Sequence, residues 1–290
     1  MLTAQPPLVV IVGPTASGKT KIAIELARKY NGEIICADSR TVYRGLDIGT
    51  AKPTKQEKAS VPHWGIDLVD PDETFTASDF KEYAVNKITD IRERNKTPFL
   101  VGGTGLYVDA VIFDYQFGPP PNHRLRKRLE EMSLEDLYEY SHKNNVKLPE
   151  NFKNRRYVIR AIEQKSVNNK SRSTIIPNSI VVGISTDKDI LRKRIVQRAE
   201  QLLLDGVVEE AKSLGKKYGW KTNSMSGNIY PLCNDYLRGV ISADELKSGF
   251  IARDVSLAKR QMTWFRRNSG IAWMPLEDVK SYVGSRLDSE

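Results

Sequence analysis

Cysteine and histidine are scarce in this chain. Its 290 residues hold two cysteines, Cys36 and Cys233, and three histidines, His63, His123 and His142. Two cysteines 197 positions apart make no CxxC pair and no disulfide framework. Those five residues also lack the spacing of a two-Cys, two-His zinc module. Long apolar runs are missing too. The longest early one, Leu8–Val12, is too short for a secretion signal or a membrane span. No collagen-like period or low-complexity tract occurs. These absences predict a reduced, cytoplasmic, membrane-free protein that folds on an ordinary hydrophobic core.

Charge, by contrast, is plentiful and unbalanced. Lys and Arg number 45 against 36 Asp and Glu, a formal net charge of +9. The excess is concentrated. Residues 119–172 carry 13 basic and 7 acidic residues, a net of +6 in under a fifth of the chain. A polyanionic partner is compatible with such a patch, although charge alone does not require one.

Hydrophobic periodicity outlines an α/β protein. Leu8–Val12 is continuous and β-branched, as a strand buried on both faces must be. Helical spacing follows through Ile22, Ala23, Leu26 and Ala27 and stops at Asn31–Gly32. Further strands are predicted at 33–37, 98–101 and 179–184. A helix is predicted over 79–95, with Ser78 as its N-cap. Alternation at this spacing indicates a doubly wound parallel sheet. The texture changes at Gly118-Pro119-Pro120-Pro121, after which short charged helices are predicted near 124–132, 134–143 and 154–164. Residues 165–173 read as a loose polar loop. From 179 onward helices dominate, apart from a short apolar break at 271–274. The predicted organisation is a core of residues 1–118 and 175–290 interrupted by a mostly helical insertion, 119–174.

The sharpest motif is Gly13-Pro14-Thr15-Ala16-Ser17-Gly18-Lys19-Thr20, a full GxxxxGK[ST] match between a predicted strand and a predicted helix. Consecutive backbone N–H groups and the helix N-terminus would face a phosphate there. Lys19 would neutralise it, and the Thr20 hydroxyl is placed to hold Mg²⁺. The motif recognises a di- or triphosphate, not a nucleotide as such. No second apolar strand ends in the Asp-Glu of a standard ATPase. Asp38, following Ile34–Ala37, is the carboxylate at a core strand end near the loop, suited to ligate Mg²⁺ or act as a general base. An ordinary turn aspartate is its bland alternative. Thr104, in the Gly102-Gly103-Thr104-Gly105 turn, could orient the leaving phosphate or the base, or be a turn threonine only. Arg40, Arg44 and Lys52, taken singly, read as solvated surface. Arg124, Arg126, Lys127 and Arg128 form one basic run, and Arg155, Arg156 and Arg160 another. Two such runs in one basic insertion beside a phosphate-handling core favour RNA or DNA over a merely solvated face.

Taken in order, several motifs resemble the tRNA dimethylallyltransferase family, also called tRNA isopentenyltransferases, of the bacterial type. They are Gly13–Thr20, Asp38-Ser39, the stretch 42–53, Val61-Pro62-His63, Asp79-Phe80, the stretch 101–107, Ala258-Lys259-Arg260-Gln261 and Thr263-Trp264-Phe265-Arg266. The resemblance runs from Leu8 to about Met274. It implies a P-loop kinase-like parallel sheet core with a helical insertion that grips the tRNA anticodon stem-loop. The implied reaction moves a dimethylallyl group from dimethylallyl diphosphate to the exocyclic amine of the adenosine 3′-adjacent to the anticodon. It further implies Mg²⁺ as cofactor; separately, the chain is expected to be a monomer. By the same resemblance Asp38 is the general base, with Lys19 and Thr104 as its catalytic companions. Residues 13–20 then hold the leaving diphosphate, and Asp38, Ser39, Arg40, Thr41, Arg124, Arg156, Arg160, Lys259 and Arg260 face the tRNA.

The chain departs from the family pattern at identifiable places. Met-Gln usually follows Asp-Ser, and that Gln helps seat the target base; here the pair is Arg40-Thr41. A Thr-Arg pair, whose Arg touches the diphosphate, is here Asp254-Val255. Arg253 lies two positions away, roughly 200° around a helix. Asn-Asp before the Arg-Ala-Leu-Glu helix is replaced by Lys153-Asn154, and Ile-Gly-Tyr-Lys-Glu by Asn228-Ile229-Tyr230-Pro231-Leu232. Competing expectations are an adenylate isopentenyltransferase or P-loop small-molecule kinase, which would need no basic insertion, and a non-catalytic RNA-binding protein.

Overall fold

The computed structural model describes residues 5–118, 122–164 and 174–289. By chain packing it divides into two units, residues 1–113 with 174–290 and residues 114–173. The division begins five residues before the expected boundary. Pro119–Pro121 and the polar stretch 165–173, expected as a linker and a loop, lie outside the described residues.

The first unit is built on a parallel sheet. Its strands are β1 (Leu8–Val12), β2 (Gly32–Ala37), β3 (His63–Trp64), β4 (Thr97–Gly102), β5 (Ser179–Ser185) and β6 (Ala272–Pro275), in the spatial order β3-β2-β4-β1-β5-β6. The apolar run of β1 is buried throughout because side chains alternate between two covered faces. Leu8, Val10 and Val12 enter one core with Phe80, Tyr107 and Phe250. Val9 and Ile11 enter the other, with Ile22, Leu26, Val279 and Val283. The first face is covered by α3 (Ala77–Glu93), α4 (Gly105–Ile112), α8 (Lys188–Leu204), α9 (Val207–Tyr218), α10 (Tyr230–Leu237) and α11 (Ala243–Phe265). The second is covered by α1 (Lys19–Lys29) and α12 (Val279–Leu287). A six-residue helix, α2 (Lys55–Ser60), precedes β3.

Two local predictions are corrected. The N-cap of α3 is Thr76, not Ser78: its hydroxyl accepts from Asp79 N–H at 3.2 Å, and the Asp79 carboxylate accepts from Thr76 N–H at 2.7 Å. A reciprocal pair satisfies two orphan donors where Ser78 would satisfy one. The apolar break at 271–274 is an edge strand, β6, held by β5 through Val182–Ala272 to Ser185–Pro275. Four residues give too little periodicity to read as a strand alone.

Strand register sets the site. Gly102 of β4 stands level with Val12 of β1 and with Ala37 of β2. The segments that follow, Gly13–Thr20, Asp38–Thr41 and Gly103–Gly105, therefore leave the same edge of the sheet side by side. That edge, at the carboxyl ends of parallel strands, is where doubly wound sheets bind ligands.

The second unit has its own small core. Helices α5 (His123–Glu131), α6 (Leu134–Lys143) and α7 (Arg155–Gln164) enclose Leu129, Leu137, Val146, Val158, Ile159 and Ile162.

Candidate active site

The loop from β1 to α1 is shaped by two left-handed residues, Ala16 (φ 60°) and Gly18 (φ 92°). Gly18 tolerates that conformation at no steric cost, whereas Ala16 holds it under local strain. Such an alternation turns successive N–H groups inward to form an anion nest. The Ser17 hydroxyl is buried in it and has no hydrogen-bond partner among the described residues. Lys19 folds back over the nest, donating to Pro14 O at 2.6 Å. Burial pulls the Lys19 ammonium down to about 8, opposed by the negative charge of Asp38 and assisted by the positive charge of Arg198. Lys19, Asp38 and Arg198 thus share one electrostatic environment.

Asp38 begins a tight turn. Its Oδ1 accepts from Arg40 N–H at 2.8 Å, and its carbonyl accepts from the Thr41 hydroxyl at 3.2 Å. Thr104 locks this turn to the end of β4. Its Oγ1 accepts from Ser39 N–H at 3.0 Å and its N–H donates to Ala37 O at 3.2 Å. Asp38 therefore stands on a backbone tied at both sides, with its side chain half-buried beside the nest.

Several contributors were not marked as site residues by sequence reasoning. Gln261 of α11 bridges two of the loops: its Oε1 accepts from Thr15 N–H at 2.8 Å, and its Nε2 donates to Gly103 O at 3.1 Å. A Cβ at Gly103 would fall 2.3 Å from that Nε2, so any larger residue there would displace the Gln261 amide from its bridge. Arg194 and Arg198, one turn apart on α8, also reach the nest. Arg198 Nη1 donates to Thr15 Oγ1 and, at 2.9 Å, to Asp254 Oδ2; Arg194 Nη1 lies 3.4 Å from Ser17 O. The i, i+4 arginine spacing after a core strand was the signal available. Glu210 is the fourth. Its carboxylate accepts from three consecutive backbone N–H groups, Asp47, Ile48 and Gly49, at 2.6–2.9 Å, and from Tyr230 OH at 2.8 Å. It secures the loop after Asp38 to α9 and α10.

Some expectations change with these contacts. Lys52 is not solvated surface: it is buried, with Nζ bonded to Tyr43 O (2.6 Å), Asp47 Oδ1 (2.8 Å) and Asp67 Oδ1 (2.6 Å). Arg40 is a strut, its guanidinium donating to Asn223 O and, at 3.1 Å, to Ser226 Oγ. Thr41, expected at the tRNA, is buried against its own turn. Lys259 and Arg260 are exposed on α11. In the second unit Arg124 and Arg156 are exposed, but Arg126 forms a two-point ion pair with buried Glu163, and Arg160 lies 3.4 Å from the same carboxylate. Arg155 caps α5 through Leu129 O and Glu130 O.

A family model described as IPP transferase matches residues 41–268. The chain belongs to this family. A tRNA dimethylallyltransferase of Halalkalibacterium halodurans is 39% identical over 94% of this chain and 92% of its own length. One from Bacillus mycoides is 37% identical, covering 93% and 90%. Among solved structures, the full-length tRNA isopentenylpyrophosphate transferase of Bacillus halodurans superposes with a TM-score of 0.75 at 35% identity, covering 98% of both chains. A eukaryotic dimethylallyltransferase acting on tRNA has a TM-score of 0.79 at 22% identity, over 97% of this chain and 77% of its own; that likeness concerns the fold. The chain is accordingly an enzyme of the IPP transferase family, with the expected α/β fold. Among the described residues no helix is long and apolar enough to cross a membrane.

The motif resemblance in the sequence implies Mg²⁺ as cofactor, and two oxygen donors at the nest fit that expectation. No cluster of three or more His, Cys, Asp or Glu capable of holding a metal exists among the described residues. Thr20 offers an exposed hydroxyl in the first turn of α1, with the Asp38 carboxylate beside the same nest. Mg²⁺ is commonly held by so few protein oxygens when phosphate oxygens and water complete its shell.

Proposed function

We propose that this protein transfers a dimethylallyl group from dimethylallyl diphosphate to the exocyclic amine of the adenosine 3′-adjacent to the anticodon of tRNA. The observation that carries the reading is the convergence of Asp38 and Lys19 at one sheet edge, with Thr104 tying the Asp38 turn in place. An adenine amine is a weak nucleophile because its lone pair is delocalised into the ring. As its nitrogen bonds to the allylic carbon, the carbon–oxygen bond to diphosphate breaks and the amine proton passes to the Asp38 carboxylate. Negative charge grows on the departing diphosphate, which the nest N–H groups and Lys19 are placed to stabilise. Thr20 would hold a Mg²⁺, whose positive charge would supply further stabilisation to the leaving group. Thr104 keeps the Asp38 turn rigid, so the base does not drift between turnovers. Reaching Asp38 requires the target base to leave the anticodon stack. Arg124 and Arg156 in the second unit, and Lys259 and Arg260 in the first, are among the exposed cations, and each is suited to pair with an RNA phosphate.

Single-turnover transfer from labelled dimethylallyl diphosphate, offered tRNA and AMP in parallel, tests the assignment. Label in tRNA alone is expected. Label in AMP would make the enzyme an adenylate isopentenyltransferase. Asp38→Ala should slow the step by about 10²–10⁴-fold with tRNA affinity unchanged, since a general base acts only in the transition state.

A further inference from the structure

Asp254 is a carboxylate buried to 2% exposure in the middle of α11. An isolated buried carboxylate is strongly unfavourable and persists only when paired. Its two oxygens are both engaged: Oδ2 accepts from Arg198 Nη1 at 2.9 Å, and Oδ1 accepts from Asn228 Nδ2 at 2.7 Å. Asn228 is braced in turn, its carbonyl accepting from Arg253 Nη1 at 3.1 Å. The same Arg198 Nη1 also donates to the Thr15 hydroxyl of the nest. One guanidinium nitrogen therefore makes both bonds. Nε and Nη2 of Arg198 have no hydrogen bond among the described residues, although the side chain is only partly exposed.

We propose that Asp254 is a positioning residue for diphosphate recognition: it pins Arg198 by one nitrogen against Thr15 and so presents Nε and Nη2 to the diphosphate. The inference rests on the nest being the diphosphate site. A planar guanidinium can meet a phosphate at two points, but only when its fork is oriented. An unpinned arginine loses side-chain entropy on binding, and Asp254 removes that loss beforehand. An opposing effect exists, because a carboxylate near the nest repels an anion. It is reduced here because the charge is compensated by Arg198 itself. Orientation and repulsion predict opposite signs for removal of Asp254, which makes the assignment decidable.

The test measures inorganic diphosphate binding by calorimetry and the KM and kcat for dimethylallyl diphosphate, on the full chain. Asp254→Ala should weaken diphosphate and raise KM about tenfold, with kcat within about twofold; Asp254→Asn, which keeps an acceptor for Nη1, should do so about threefold. In an Arg198→Ala background, Asp254→Ala should change neither further, since it acts through Arg198. If Asp254→Ala fails to fold, the Asn variant carries the comparison. Unchanged or tighter diphosphate binding in a folded Asp254 variant overturns the proposal, as does an effect that persists without Arg198. Lys19→Ala separates the two levels. Diphosphate binding that Lys19→Ala weakens and Asp254 variants do not would refute Asp254 alone. Binding absent from the wild type, or indifferent to Lys19, would refute the nest as diphosphate site and this inference with it.

Discussion

Gln261 joins Thr15 to Gly103, accepting from one backbone and donating to the other at 2.8 and 3.1 Å. A single side-chain amide thus fixes the spacing between the nest and the turn that carries Thr104. An amide suits the position because one end must accept while the other donates. Gln261→Glu would turn a carboxylate oxygen toward Gly103 O and add a negative charge beside an anion site. We expect it to raise the KM for dimethylallyl diphosphate by roughly 10- to 100-fold. Gln261→Ala should raise it less, since water can replace both bonds. Steady-state kinetics at saturating tRNA separate the two.

Lys19 carries a pH dependence. Its ammonium is pulled down to about 8 by burial, and the protonated form is the one that attracts an anion. As pH rises through about 8 the free enzyme loses that charge, so affinity for dimethylallyl diphosphate should fall, by roughly tenfold between pH 7.5 and pH 9.5. Arginine stays charged across this range. A Lys19→Arg variant, whatever its absolute activity, should show a flat KM profile from Lys19's contribution. A wild-type KM that does not change with pH would remove Lys19 from binding.

The basic run 124–128 divides by partner. Arg126 holds Glu163, whose side chain is 1% exposed, through two bonds. Arg126→Ala would leave that carboxylate with Arg160 at 3.4 Å as its ion-pair partner. We expect a loss of about 2–4 kcal/mol from the stability of the second unit, read by hydrogen exchange over α5–α7. Arg124→Ala and Arg156→Ala, both at exposed positions, should leave that exchange unaltered. Each should instead weaken tRNA binding and lower its log–log salt slope by about 1.

Asp109 and Trp264 give a stability prediction. Trp264 Nε1 donates to Asp109 Oδ2 at 2.7 Å, while Oδ1 is buried without a partner among the described residues. Burial raises this carboxyl to about 6. Between pH 4 and 6 the folded chain therefore holds a proton that the unfolded chain has lost, and this group's contribution falls as pH rises through that window. Asp109→Asn keeps the acceptor for Trp264 and removes the charge. It should raise the melting temperature at pH 7.5 by a few degrees, on the order of 1–3 kcal/mol, and have little effect below pH 4. Thermal scans at the two pH values decide it.

Much of the fold was legible in the order of residues because its signals are local. A fully apolar strand, a glycine pattern and a lysine–threonine pair lie within residues 8–20, and strand-helix alternation implies a parallel sheet whatever else the chain does. Asp38 and Thr104 were legible as candidates for the same reason: each follows a recognisable strand. The reciprocal cap at Thr76 was equally local and was missed, because Ser78 offered a competing hydroxyl two residues on. What no local signal revealed was pairing across the chain. Lys52 looks like surface until Asp47, Asp67 and Tyr43 O close around it. Gln261 and Thr15 are 246 positions apart, Arg198 and Asp254 56. A charge or an amide has no periodicity, and its role depends on what burial places opposite it. Sequence alone determined the sheet, the nest and the carboxylate beside it. Tertiary packing decided which arginines face the nest, which are spent on Glu163 and Asn223, and which remain exposed, because only folding sets how far each ion lies from its counter-ion and from water.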